Sequence, residues 1–230
     1  MRWRKRRTAR GPARAALPVL PDEPVSRTFG FERGKPVDRW YIERFLAEHS
    51  ADVRGRVLEV AESTYTVWYG GDDVTASDVL YAAEGHPDAT VVGDLTTGAG
   101  IPEGAYDCFI CTQTLQVSYD VRAAIAGTRR LLAPGGVLLA TLPGISQISR
   151  EDNRDWGDWW RFTARSAQRL FADVYGEEHV EVRQHGNVHA AAAFLYGLAA
   201  EDVDPEALEA VDPDFHLLMT VRAVRSRSER

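Results

Sequence analysis

Between Arg56 and Asp94 three apolar or β-branched runs, Val57–Val60, Val74–Ala76 and Ala89–Val92, each come with an acid. Glu59 lies within the first run, and Asp78 and Asp94 fall just past the second and third. Short runs of this composition, bounded by turn residues, read as strands. If the strands are parallel, the carboxyl ends of an open α/β sheet face one crevice, where such sheets bind ligands. Ionised carboxylates only accept hydrogen bonds. Three of them along that crevice predict a cationic, ribose-bearing ligand.

The rest of the chain supplies the layers such a sheet needs. Residues 17–37, rich in Pro with turn-forming Gly, predict an extended lead-in. Trp40, Tyr41, Phe45 and Leu46 recur at helical spacing within Val37–Ser50. The interval before Val74 ends in Gly70-Gly71 and has room for a turn and a short helix at best. Val74–Ser77 is expected as the second strand, Ala89–Val92 as the third and Tyr106–Thr112 as the fourth. Val121–Leu132 predicts an amphipathic helix, with Gly135-Gly136 past its end as C-caps prefer. Val137–Leu142 is a continuous apolar run but for Thr141, as expected of a strand covered on both faces. Residues 144–162 read as an irregular insert. A helix over Thr163–Val174, a strand at His179–His185, an Ala-rich helix over Val188–Ala200 and a last strand at His216–Val224 follow. This alternation predicts an α/β fold with a doubly wound, mostly parallel sheet. The expected domain spans 37–225, with a basic arm and lead-in over 1–36 and a tail over 226–230.

Composition narrows the function. The chain is 44% hydrophobic and 27% charged, the balance of a soluble globular protein. The longest small-apolar run, Ala190–Ala200, is about half of the ~20 residues needed to cross a bilayer. Seven positive charges and no acid crowd the first sixteen residues, leaving 20 basic against 34 acidic residues in the remainder. An acidic body argues against a nucleic-acid groove, which needs Lys and Arg for phosphates. The basic head reads as a solvated arm and lacks the apolar region of a secretory signal. Cys108 and Cys111 lie three apart on a predicted strand and so face opposite sides, as buried small hydrophobes rather than a redox or metal pair. This cysteine usage points to the cytoplasm. Among His179, His185 and His189 there is no ligand spacing for a metal.

On these residues the chain resembles the class I S-adenosylmethionine-dependent methyltransferases over roughly 38–225. RVLEV, SDVL, GDL and LLAPGGVLLATLP are similar to that family's first strand, its second and third acidic positions, and its fourth-helix-to-fifth-strand turn. Glu59–Thr66 and Trp156–Thr163 are similar to segments of a subgroup of small bacterial methyltransferases, some of which accompany glycosyltransferases. The family's E/D-x-G-x-G-x-G loop is altered: Ala61 stands at the first glycine, and Glu62 adds a charge.

The resemblance implies a seven-stranded Rossmann-like methyltransferase sheet and S-adenosyl-L-methionine as cofactor, released as S-adenosyl-L-homocysteine. It places Glu59 at the methionine end, Asp78 on the ribose hydroxyls and Asp94 on the adenine amine. Ala61, Glu62, Tyr65, Val79, Leu95, Thr112 and Gln113 complete the expected cofactor contacts. A dinucleotide or triphosphate would want G-x-G-x-x-G amides at a helix start, and the acidic loop would repel phosphate. Gln116, Trp156, Trp159 and Trp160 are expected at the acceptor, because indoles suit stacking on a sugar ring. A hydroxyl acceptor needs a base, for which His185 and His189, with Asp152, Asp155 and Asp158 of the insert, are the candidates. The expected function is methyl transfer to a small acceptor, a hydroxyl of a sugar or specialised metabolite. No metal, nucleic acid or membrane is called for, and a homodimer stays open. The alternatives are a fold that serves as a non-catalytic partner subunit, or one that keeps the cofactor for other chemistry.

Overall fold

The computed structural model describes residues 21–227. The basic head and the end of the tail lie outside the described residues. Seven strands form one sheet: β1 (Gly55–Val60), β2 (Val74–Tyr81), β3 (Val91–Val92), β4 (Tyr106–Thr112), β5 (Leu132–Pro143), β6 (Val180–His185) and β7 (Leu218–Val224). Their order is β3-β2-β1-β4-β5-β7-β6, parallel except for β7, which runs antiparallel to both its neighbours. The expected mostly parallel, doubly wound sheet is therefore present. The direction of the chain reverses about β1 and β4, which opens the crevice where such sheets take ligands.

Among the described residues seven α-helices accompany the strands: α1 (Val37–Glu48), α2 (Thr64–Gly70), α3 (Val121–Leu131), α4 (Arg150–Asp155), α5 (Ala164–Tyr175), α6 (Val188–Leu195) and α7 (Pro205–Glu209). Strand residues alternate between two cores because successive side chains point to opposite faces. Phe109, Leu138 and Cys111 pack with Ile125 of α3 and Phe171 of α5. Ile110, Leu139 and Cys108 pack on the other face with Phe45 of α1 and Phe194 of α6. The two cysteines are thus buried, free and on opposite sides of the sheet. Burial in apolar surroundings pushes the Cys111 thiol up to about 12 and the Cys108 thiol higher still, so neither ionises readily.

Four local expectations are corrected. The second strand does not stop at Ser77 but runs on to Tyr81, so Asp78 lies inside β2, level with Leu58 of β1. The partner strand supplies the reason: β1 continues through Val60 and pairs Glu59 with Val79 and Val60 with Leu80. The glycines after α3 do not cap it. Leu132 is already extended, and residues 133–136 belong to β5, where Gly135 (φ +85°) donates to the Arg225 carbonyl at 2.8 Å. The insert is not wholly irregular, because α4 forms within it and Ser149 caps that helix by accepting from the Asp152 amide. The Ala-rich helix also ends early, at Leu195, and Gly197 (φ +68°) turns the chain.

The lead-in is part of the packed body. Val25 donates to the Tyr196 carbonyl at 2.8 Å, and Phe29 lies against Phe194 with ring centroids 5.7 Å apart. Residues 26–31 are thereby drawn over the carboxyl ends of the strands.

Candidate active site

A cavity of about 840 Å³ opens at the carboxyl ends of β1, β2, β4 and β5. Its floor is Glu59–Glu62, Leu80–Ala82 and Thr112–Thr114. The lead-in (Arg27–Phe29, Phe31), the start of α1 (Asp38, Arg39) and the insert from Ser146 to Arg161 wall it in.

Glu59 ends up in the floor because β1 carries it to the sheet edge just before the chain turns into α2. It is 2% exposed, and both oxygens are engaged. Oε1 accepts from the Tyr65 amide at 3.1 Å, and Oε2 from the Thr66 amide at 2.8 Å and the Thr66 hydroxyl at 2.7 Å. Free amides at a helix start favour an anion. Desolvation outweighs these donors and holds the Glu59 carboxyl above its ordinary range.

Ala61 takes φ +69° and donates its amide to the Leu80 carbonyl at 3.0 Å. The backbone thus keeps a left-handed turn at the position where the resembled family has glycine. Such a conformation costs a residue with a Cβ about 1–2 kcal/mol. Gln113 is likewise left-handed (φ +47°), held by its amide to the Thr141 carbonyl (3.2 Å) and hydroxyl (3.1 Å). Strained residues of this kind cluster at ligand sites. Gln116 is 6% exposed; its Nε2 donates to the Gln113 carbonyl at 2.6 Å, while its Oε1 is buried without a partner.

The structure brings together Glu59, Ala61, Glu62, Thr112, Gln113, Gln116, Trp156 and Asp158, all of which line the cavity. Glu62 is exposed and accepts from the Thr64 hydroxyl. Trp156 meets Tyr81 edge to face at 6.1 Å, and Tyr81 stacks on His86 at 4.4 Å. Asp158 is a clasp. Its oxygens accept from Arg161 at 2.5 and 2.7 Å and from the Ser149 amide at 2.9 Å, which ties the two ends of the insert together. Desolvation works to raise the Asp158 carboxyl, but the Arg161 guanidinium and the Ser149 amide bring it below its ordinary range. A carboxylate so held is a poor proton acceptor.

The other expected residues lie outside the cavity lining. Asp78 accepts from Arg56 Nε at 2.8 Å and Nη2 at 2.7 Å, and from the Thr90 hydroxyl at 3.0 Å. Val79 is buried between the strands. Asp94 closes its own turn, accepting from the Thr96 amide (2.7 Å) and the Thr97 hydroxyl (3.0 Å). Although desolvation opposes them, these donors hold the Asp94 carboxyl below its ordinary range. The Leu95 carbonyl takes a bond from Arg130, and Tyr65 packs between helices with its hydroxyl on Arg39. Trp159 and Trp160 form an exposed aromatic patch with Tyr119, anchored to the cavity wall by the Trp159 amide on the Gln116 carbonyl at 3.0 Å. His185 sits on the edge strand β6, its Nε2 2.9 Å from the Thr220 hydroxyl and its ring against Tyr41. Burial pulls its pKa down to about 4. His189 is exposed in the first turn of α6. Neither histidine is in the cavity lining: His185 is held on β6 and His189 on the first turn of α6.

Sequence reasoning missed Asp38, Arg39 and Arg27. Their only signal was a charged pair at the start of an amphipathic helix, which ordinarily faces water.

This set of acceptors suits a cationic, hydroxyl-bearing ligand. Gln116, Glu59 and Asp38 line one cavity that has no phosphate-cradling loop, and Gln116 Oε1 and Asp38 Oδ1 are buried without a partner among the described residues. Among the described residues no group of three or more His, Cys, Asp or Glu could hold a metal, and no helix is long and apolar enough to cross a membrane.

Residues 54–140 match the methyltransferase-domain family. The fold is shared with a SAM-dependent methyltransferase from Archaeoglobus fulgidus (TM-score 0.52, 10% identity, 81% of this chain and 94% of that one). It is shared also with the [4+2]-cyclase SpnF (TM-score 0.51, 15% identity, 84% and 83%). A third similar structure is phosphoethanolamine N-methyltransferase 2 of Haemonchus contortus in complex with S-adenosylhomocysteine (TM-score 0.52, 10% identity, 81% and 53%). A stretch of 53 residues, 23% of this chain, is 42% identical to the reducing polyketide synthase AFT16-1 of Alternaria alternata, and covers 2% of that protein. Residues 54–140 thus carry the match to a methyltransferase domain, and the sheet around them has the fold of the solved methyltransferases it is similar to.

Proposed function

We propose that the cavity binds S-adenosyl-L-methionine and that the chain methylates a small acceptor, a hydroxyl of a sugar or specialised metabolite. The observation that carries this reading is the buried Glu59 at the carboxyl end of β1, in the floor of a cavity with no phosphate-cradling loop. Its carboxylate suits the cationic methionine end of such a cofactor. Glu59, Ala61, Glu62, Thr112 and Gln113 would hold the cofactor, which when bound supplies an electrophilic methyl group on a sulfonium. The chain's own part is to position the acceptor in line and exclude water, which is where much of the rate of such a transfer arises. Trp156 and the Asp158–Arg161 clasp form the wall that does so.

Calorimetry with S-adenosyl-L-homocysteine, then product release with a panel of hydroxyl acceptors, tests this. Binding in the micromolar range followed by acceptor-dependent product release is expected. Absence of binding would remove the reading.

A second reading keeps the cofactor but not the transfer. It is favoured by the shared fold of a [4+2]-cyclase and by the altered loop at Ala61. It predicts cofactor binding with no acceptor-dependent release of the demethylated product.

A further inference from the structure

Asp38 stands second in α1, where an acid ordinarily turns to the helix's free amides or to water. Here it is 9% exposed, and its Oδ1 is buried with no hydrogen-bond partner among the described residues. It lines the same cavity as Glu59 and Gln116. Of the other carboxylates of the wall, Glu59 holds the start of α2, Asp158 is clamped by Arg161 and the exposed Glu62 accepts from Thr64, while Glu151 and Asp152 of α4 also line it and neither is buried. Gln116 is the neutral counterpart of Asp38. Its Nε2 is committed to the Gln113 carbonyl, which fixes Oε1 as the atom left open. A buried acceptor without a donor is costly to keep unless a ligand supplies one.

We propose that Asp38 takes the proton of the acceptor's hydroxyl and that Gln116 Oε1 receives a second hydroxyl of the same molecule, so that the acceptor is polyhydroxylated, of the pyranose class. This rests on the methyl-transfer reading above. In the step, the acceptor's O–H bond breaks and its proton passes to Asp38 Oδ1. The oxygen's electron pair forms the new bond to the methyl carbon of a sulfonium donor, and the carbon–sulfur pair returns to sulfur as a neutral thioether. Desolvation holds the Asp38 carboxyl above its ordinary range, against the pull of the adjacent Arg39 guanidinium and the helix amides. The titratable groups that act on it are Arg39 on its own helix and Tyr65 on α2, on which Glu62 of the loop after β1 and Glu43 of α1 act in turn. A carboxylate raised in this way is a stronger base than one in water.

The test uses the full chain saturated with S-adenosyl-L-homocysteine and methyl hexopyranosides as probes in saturation-transfer NMR. The wild type is expected to bind at least one of them. Asp38→Asn should weaken that binding fivefold or more while leaving S-adenosyl-L-homocysteine affinity within twofold. With S-adenosyl-L-methionine and the bound glycoside, wild-type product release should rise with pH through one ionisation. Asp38→Asn should be at least a hundredfold slower, with that limb gone. The variant should also melt higher at pH 8, since it removes a buried charge. A variant with rate within threefold of wild type, or one that melts lower and still binds glycosides normally, overturns the proposal. So does a wild type that binds S-adenosyl-L-homocysteine but no glycoside, which leaves the methyl-donor reading standing. A wild type that binds no S-adenosyl-L-homocysteine removes that reading and the proposal together.

Discussion

Arg56 Nε and Nη2 both reach Asp78 Oδ2, at 2.8 and 2.7 Å, across adjacent parallel strands, two residues before Leu80 of the cavity floor. The guanidinium also lies over the Tyr106 ring, 4.9 Å from its centroid. This ties the Asp78 carboxylate to the sheet.

Asp78→Asn is therefore expected to cost stability rather than cofactor affinity. Arg56 is 41% exposed, so solvent screens the pair and the loss should be about 1 kcal/mol. Urea unfolding measures the loss, and calorimetry with S-adenosyl-L-homocysteine should show affinity within twofold of wild type. A tenfold fall in affinity with unchanged stability would return Asp78 to the ribose.

Ala61 at φ +69° sets opposite expectations for two substitutions. Ala61→Gly removes the Cβ penalty of about 1 kcal/mol but frees the unfolded chain by about the same, so stability should stay within about 0.5 kcal/mol. Ala61→Val adds β-branching in a left-handed conformation and should cost more than about 2 kcal/mol. Equal stabilities for all three would mean the turn relaxes.

His185 titrates at about 4 in the fold against 6.5 ordinarily, so the folded state binds fewer protons than the unfolded one over that interval. Its contribution is complete above pH 6.5 and is lost as pH falls toward 4, on the order of 3 kcal/mol in all. His185→Gln should flatten the stability slope between pH 6.5 and 4 in denaturant titrations. The same variant should leave the neutral-pH rate untouched, because the ring is not part of the cavity lining and is uncharged there.

Arg161→Met breaks the clasp and leaves Asp158, whose side chain is 2% exposed, without its counter-charge. Removing one partner of a buried pair costs about 3–5 kcal/mol; with Arg161 itself 25% exposed, about 2 kcal/mol is expected. Limited proteolysis should then cut within 145–161 faster than in wild type. An unchanged cleavage pattern would show that Trp159 and Trp160 hold the insert without the ion pair.

The strands and long helices were readable from residues 37–224 because their signals are local. Val137–Leu142 is apolar on both faces whatever surrounds it, and Val121–Leu131 repeats at helical spacing. Glu59 and Gln113 were also legible, since each sits at the end of such a run. What local pattern could not carry was where a strand stops. β2 runs past Asp78 because β1 offers partners through Val60 and pairs them with Val79 and Leu80. Likewise the glycines after α3 entered β5 because β7 offered the Arg225 carbonyl.

Amino-acid order alone determined the α/β alternation, the opposed cysteines and an acceptor-rich site with no phosphate loop, for these follow from side-chain chemistry and period. Only the tertiary structure decided which acids stay free. Register gave Asp78 to Arg56, a turn enclosed Asp94, and the packing of α1 beside the lead-in buried Asp38 with one oxygen unmatched. Hydrogen-bond partners are allotted by neighbours distant in the chain, and a carboxylate's availability depends on that allotment.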